Sequence, residues 1–180
     1  MDSMTWLNEP PAWHQAGDQL VAIAGPRTDF WQKTSYGFVR DNGHIFGRLV
    51  AGNAVAEVTV RGAYATLYDQ AGLGLRRDAE HWIKCGVELV DGMPHASVVV
   101  TRGSSDWSII ALPPTFEALS LRLVRTGEVV EIFWSLGGAA TTLLRLSPFP
   151  PGPALLGALL AAPDGEGFEA RFDGLSVRET

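Results

Sequence analysis

The chain has 180 residues, of which 46% are hydrophobic and 19% charged, with a formal net charge of -6 and a pI near 5.1. That balance fits a folded domain and excludes a disordered chain, while Lys and Arg scattered singly exclude a basic footprint for a phosphate backbone. Cys85, the one cysteine, excludes an intramolecular disulfide and a cysteine-built metal cluster.

The opening residues carry no basic run followed by an apolar one, and no stretch of about 18 apolar residues could cross a bilayer, so a cytoplasmic protein with no membrane partner is expected. All-β folds of this length commonly stay single, which predicts one domain over residues 17–180 behind an extended arm over 1–16. In that arm Trp6 and Trp13 flank Pro10 and Pro11; the prolines oppose a helix, and the indoles are expected to anchor the arm.

Gly17-Asp18 turns the chain into a strand over Gln19 to Ala24, which Gly25-Pro26 ends. Asp41-Asn42-Gly43 is a tight-turn signal, because Asn-Gly tolerates positive φ, and it predicts a hairpin pairing Tyr36–Arg40 with His44–Val50. Ala54 to Arg61 alternates Val58 and Val60 against Thr59 and Arg61. Tyr68 to Glu88, YDQAGLGLRRDAEHWIKCGVE, reads as two neighbouring strands joined by a polar turn. Beyond it Ser97 to Thr101 is strongly β-prone, and Gly103-Ser104-Ser105 turns into a short strand over Asp106 to Leu112.

Leu119, Leu121 and Leu123 share one face of their strand and Ser120 and Arg122 the other; Val130, Ile132 and Trp134 likewise oppose Glu131, Phe133 and Ser135. Gly137-Gly138 reverses the chain into Thr141 to Leu146. The run Ala154 to Ala162 fits a short helix or a buried strand interrupted by Gly157, and its strand-rich setting favours the strand. Phe168 to Val177 is the last strand, bent at Asp173-Gly174. About a dozen strands with turns between them predict an all-β jelly-roll sandwich of two antiparallel sheets.

The interpretable chemistry lies in Tyr68 to Glu88. Strand side chains alternate between faces, so Ile83, Cys85, Val87 and Leu89 form a core side, and Trp82, Lys84, Gly86 and Glu88 the opposite one. Cys85 thus reads as a small buried hydrophobe. Leu73 and Leu75 likewise set Tyr68, Gln70, Gly72 and Gly74 away from the core. If the two strands pair, Tyr68, Gln70, Trp82, Lys84 and Glu88 form one surface with glycines as its floor. Flat rings and polar groups together suit a polyhydroxylated ligand; the plainer alternative is a solvated outer sheet face. Lys84 and Glu88 lie four residues apart, about 13 Å along a strand, so each must find another partner. Arg122 joins the candidate ligand-binding residues as a hydroxyl or anion donor, with a surface ion pair as the alternative. Lys84→Ala and Trp82→Ala are expected to abolish ligand binding while leaving the stability of the free protein nearly unchanged.

The motifs WLNEP, TDFW, YGF, DNGH, YDQAGL, WIKCGVE, VVT, SDWS and GF, spread from Trp6 to Val177, closely resemble a bacterial and fungal family of unknown function described as regulation-of-enolase-like. The resemblance implies a concanavalin A-like lectin/glucanase jelly roll. QAGLGLRRDAEHWIKCG is also similar to a hairpin in accessory jelly rolls of some xylosidases and arabinosidases, which bind or shape carbohydrate sites without supplying catalytic acids. Glucanases of this fold carry a Glu-x-Asp-x-x-Glu strand, which this sequence lacks.

No cofactor is expected and no catalytic residue is assigned. His14, His44, His81 and His95 lack metal-site spacing, whereas a calcium held by loop carbonyls would leave no mark in the sequence. Ser105 to Ser108 has no local histidine, and Thr28-Asp29 reads as a loop clamp that positions Phe30 and Trp31. Three functions stay open. The first is a non-catalytic domain that binds a carbohydrate-like or small polar metabolite. The second is an enzyme using Glu88 as acid or base with Lys84, its second carboxyl drawn from Glu131, Asp106 or Asp69. The third is an interaction module that engages a metabolic enzyme through the Trp6/Trp13 arm. Oligomeric state is not legible.

Overall fold

Sixteen strands, numbered in chain order, follow from the alternating segments in a computed structural model that describes residues 4–180. The first three residues of the expected arm lie outside the described residues. Sheet A has the order β1 (Thr5–Leu7), β6 (His44–Val50), β15 (Ala154–Ala161), β8 (Gln70–Asp78), β9 (His81–Val90), β10 (Met93–Arg102) and β11 (Ser105–Ala111). Sheet B has the order β14 (Thr142–Pro148), β13 (Val129–Ser135), β12 (Leu119–Thr126), β7 (Ala54–Gly62), β16 (Glu169–Glu179), β3 (Gln19–Ile23) and β2 (Ala12–Ala16). A short ribbon of β4 (Phe30–Gln32) and β5 (Val39–Asp41) completes the set. Neighbours within each sheet pair antiparallel, and their connections cross between the sheets as in a jelly roll.

The core is what the alternation requires. Leu73, Leu75, Ile83, Cys85 and Val87 of sheet A face Val58, Val60, Leu119, Leu121, Leu123 and Ile132 of sheet B in one buried cluster. Each such aliphatic side chain contributes about 1.5–3 kcal/mol through burial. The ambiguous apolar run is the strand β15, with Leu156, Ala158 and Leu160 in the core. Gly157 sits directly opposite Gly47 of β6, and a Cβ there would strike the Phe46 carbonyl, so glycine is needed for the two backbones to approach. Where Asp173-Gly174 is expected to bend the last strand, its register with β7 shifts between Asp173 and Ser176 in a β-bulge.

The hairpin expected at Asn42-Gly43 does not form. β5 pairs with β4, and β6 instead runs between β1 and β15. The Asn42 and Gly43 N–H groups both donate to the Asp29 carbonyl at 2.9 Å, and Asn42 Oδ1 accepts the Asp29 N–H at 2.9 Å. Gly43 is small because Phe30 lies over it; a Cβ would come within 2.5 Å of that ring. The turn residues therefore lock the loop that carries Asp29.

The arm gives an edge strand to each sheet. Trp6 and Trp13 pack on Phe46 with ring centres 5.0 and 5.7 Å away. His44 fastens the crossing: its Nδ1–H donates to the Asn8 carbonyl at 2.5 Å, and its Nε2 accepts the Gly25 N–H at 2.9 Å. Burial holds its pKa below the ordinary 6.5, against the pull of the Asn8 carbonyl.

Candidate functional site

The side chains that β8 and β9 turn away from the core meet on the outer face of sheet A. Register places Gln70 opposite Glu88, Gly72 opposite Gly86, Gly74 opposite Lys84 and Arg76 opposite Trp82. A Cβ at Gly86 would strike the Ala71 carbonyl and lie 2.8 Å from Gly72 Cα. The Gly72–Gly86 pair is thus a bare backbone floor between two charged side chains. The β4–β5 ribbon roofs one end of this face, held by a hydrogen bond from the Gln32 N–H to Ser105 Oγ at 2.9 Å. Under it Phe30, Trp31, Ile45, Trp82, Val99 and Leu159 form a second apolar cluster.

Each buried charge has found its own partner. Lys84, 4% exposed, donates from Nζ to Asp29 Oδ1 at 2.7 Å, and its ammonium lies 5.9 Å from the Trp31 ring centre and 5.8 Å from that of Trp82. Asp29 Oδ1 also accepts the Phe30 N–H at 2.8 Å and the Gln70 amide at 3.4 Å. Glu88, 5% exposed, takes the Ser97 hydroxyl at 2.5 Å and the Trp107 indole N–H at 2.9 Å, both on Oε2. Burial pushes the Glu88 carboxyl above its ordinary 4.5, opposed by Lys84, Ser97 and Trp107.

Above the floor lies a cavity of about 200 Å³ lined by Asp29, Trp31, Tyr36, Lys84, Glu88 and Trp107 among others. The Tyr36 and Tyr68 hydroxyls bond each other at 3.1 Å at its rim. Trp107 meets Tyr68 edge-on at 81° and Trp31 at 85°. Backbone in the left-handed region recurs around this rim, at Lys33 (φ 61°), Ser35 (φ 61°) and Tyr68 (φ 66°). Non-glycine residues adopt that region only when their surroundings enforce it. On the floor itself is a void of about 10 Å³ among Gln70, Lys84, Gly86, Glu88 and Ser97. That is room for a single water with polar partners on several sides.

Of the residues expected from sequence, Tyr68, Lys84 and Glu88 line the main cavity, and Gln70 lines the void beneath it. Trp82 shares their sheet face but is 2% exposed beneath Phe30, with its indole N–H given to the Ala79 carbonyl at 3.2 Å. Its surroundings are those of a structural residue, and contrary to the sequence expectation Trp82→Ala and Lys84→Ala should both cost stability in the free protein, since one side chain fills a core and the other neutralises a buried carboxylate. Arg122 is also misplaced by the sequence reading. It lies on sheet B, 3.6 Å from Glu57 and 5.9 Å from the Phe133 ring centre, on a strand remote from the cavity. The contact it makes there is a surface ion pair, the alternative the sequence leaves open.

Sequence reasoning missed Asp29, Trp31, Tyr36 and Trp107 as site residues. The sequence marks Thr28-Asp29 as a clamp that positions Phe30 and Trp31, but only the roofing ribbon brings Asp29 and Trp31 to Lys84. The carboxyls proposed to accompany Glu88 do not: Glu131 is on sheet B, Asp106 pairs with Arg145 at 2.7 Å, and Asp69 accepts the Ala65 and Thr66 N–H groups of its own loop. The carboxyls that share the cavity with Glu88 are Asp29 and Asp164. Cys85 is buried, with its thiol pushed up to about 12 by burial. Among the described residues no group of three or more His, Cys, Asp or Glu is arranged to hold a metal.

Comparison with known proteins bears on the fold more than on this site. The chain is 37% identical over 174 residues to Regulation of enolase protein 1 of Saccharomyces cerevisiae, covering 96% of this chain and 88% of the relative. A crystal structure of a functionally unknown protein from Saccharomyces cerevisiae superposes with a TM-score of 0.93 at 36% identity, over 99% of this chain and 97% of the other. The GH43 protein BlXynB of Bacillus licheniformis matches with a TM-score of 0.73 at 14% identity, over 96% of this chain but 36% of the longer protein, which is a likeness of fold alone. The model of the family described as protein of unknown function DUF1349 matches residues 6–180, and the chain belongs to that family.

Proposed function

We propose that this jelly roll binds a carbohydrate-like or small polar metabolite in the cavity on the outer face of sheet A, without catalysing its conversion. The observation that carries the reading is the convergence of a buried Asp29–Lys84 ion pair and a buried Glu88 carboxyl on one aromatic-walled hollow. Each buried ion costs several kcal/mol to desolvate, and an apolar filling would stabilise the sheet face as well or better. Polar groups kept at that cost around an open hollow have the composition of a small-molecule site. The volume, about 200 Å³, lies below the 300–1,000 Å³ typical of drug-sized ligands and suits a molecule of monosaccharide size. The name of the yeast relative supports a regulatory role in sugar metabolism, in which occupancy of this cavity is the signal.

A thermal-shift screen of sugars and small polar metabolites at millimolar concentration tests the reading. A binder should raise the melting temperature of the natural chain and lose that shift in at least one of Glu88→Gln and Trp107→Ala. A screen in which no compound shifts the natural chain, or in which the shift survives Glu88→Gln and Trp107→Ala alike, rejects the cavity as the site.

A further inference from the structure

We propose that the ligand of this cavity carries a protonated amine, and that the site takes an amino polyol of amino-sugar size. The inference rests on the cavity being a site for a carbohydrate-like molecule and sharpens it by fixing the sign of the ligand's charge. Three acids, Asp29, Glu88 and Asp164, line the cavity against two bases, Lys84 and Arg40. One base is matched by an acid and the other is not. Lys84 is neutralised by Asp29 at 2.7 Å, and Arg40 gives its guanidinium to the Pro163 carbonyl at 2.9 Å while lying 4.8 Å from the centre of the Phe38 ring. The two rim tyrosines share one hydrogen bond between their hydroxyls.

Both buried carboxyls keep acceptor capacity. The protein donors found among the described residues reach Glu88 at Oε2 and Asp29 at Oδ1, which leaves Glu88 Oε1 and Asp29 Oδ2 for a ligand. A protonated amine brings three donors to those oxygens and no acceptor. A phosphate or carboxylate would instead meet two carboxyls, Glu88 and Asp164, against the one guanidinium of Arg40.

The rings point the same way. Trp107 stands nearly perpendicular to both Trp31 and Tyr68, and Tyr36 is inclined 59° to Trp31, so the walls form a box instead of one flat platform. Aromatic boxes of this kind attract a compact cation through the negative faces of the rings. Burial also favours the uncharged form of Glu88, and an ammonium against Oε1 is the neighbour that opposes it.

Titration calorimetry on the full chain decides the question with glucosamine, galactosamine and mannosamine as probes, each set against its N-acetyl derivative and its parent hexose, with glucose 6-phosphate as the anionic probe. At least one amine is expected to bind tenfold or more tighter than both of its neutral counterparts, and glucose 6-phosphate not to bind. Glu88→Gln should weaken that amine at least tenfold and the parent hexose less than threefold. A parent hexose, an N-acetyl sugar or the phosphate binding as well as the amines overturns the amine inference while leaving the cavity as a sugar site. No binding by any probe, together with a failed metabolite screen, removes both. The comparison among ligands uses the natural chain, so it stands even if Glu88→Gln does not fold.

Discussion

Replacing Lys84 by methionine tests the physical basis of the site most directly, because the change removes the ammonium and keeps an unbranched apolar stem. In the folded chain it strands Asp29, which is 6% exposed, with only the Phe30 N–H and the Gln70 amide as donors. Removing one partner of a buried ion pair costs about 3–5 kcal/mol, since the remaining charge stays desolvated. Asp29 keeps two donors and borders a cavity that water can enter, which places the expected loss at the lower end, about 3 kcal/mol. For a chain of this length that is a fall in melting temperature of roughly 6–12 °C. Urea unfolding at pH 7, with an unchanged m-value as the check on compactness, measures it. The paired change Lys84→Met with Asp29→Asn should return to within about 1 kcal/mol of the natural chain, because no unpaired charge is then buried. If Lys84→Met alone stays within about 0.5 kcal/mol, the pair is not an energetic unit, and its role in organising the cavity fails with it.

The other expectations concern the neighbours of that pair. Trp82→Ala should destabilise the free protein by about 3–5 kcal/mol in the same urea assay, as the loss of a fully buried aromatic requires; a near-neutral result would return Trp82 to the ligand surface. Glu88 titrates above 4.5 in the folded chain, so the folded state holds this proton more tightly than the unfolded one. The stability it contributes is full below pH 4.5 and is lost as pH rises through the folded value, and Glu88→Gln should lack that decline. Melting curves of the two proteins that run parallel from pH 4 to 8 would contradict the burial of this carboxyl. His44 has the opposite sign: its folded pKa lies below 6.5, so its stability is present above pH 6.5 and is lost as pH falls towards the folded value. Protonation turns Nε2 from acceptor to donor against the Gly25 N–H, and His44→Gln should remove this acid-side loss in thermal melts between pH 7.5 and 5.

The sandwich was legible because each strand repeats one instruction, an apolar side chain at every second position, and two such faces can be buried only against each other. Leu119, Leu121 and Leu123, or Ile83, Cys85 and Val87, declare their side without reference to any distant residue. The same alternation correctly separated Gln70, Lys84 and Glu88 from the core, and strand geometry correctly denied Lys84 and Glu88 each other. It could not separate Lys84 from Trp82, which share a face yet differ in fate, because the covering β4–β5 ribbon comes from residues 30–41, far earlier in the chain. Arg122 failed for a related reason: a polar position on a clean strand shows which way it points but not which sheet it belongs to.

Asn42-Gly43 gave a turn signal without a hairpin, since its N–H groups and its lack of a side chain serve Asp29 and Phe30 instead of each other. By itself, then, the sequence determined the strands, their inward faces and the polar side of β9, all of which follow from the covalent period of two in an extended chain. Only tertiary structure decided that Asp29 closes over Lys84, that Trp107 and Ser97 reach Glu88, and that five rings enclose the hollow between them, because contacts between segments far apart in sequence have no periodicity to read.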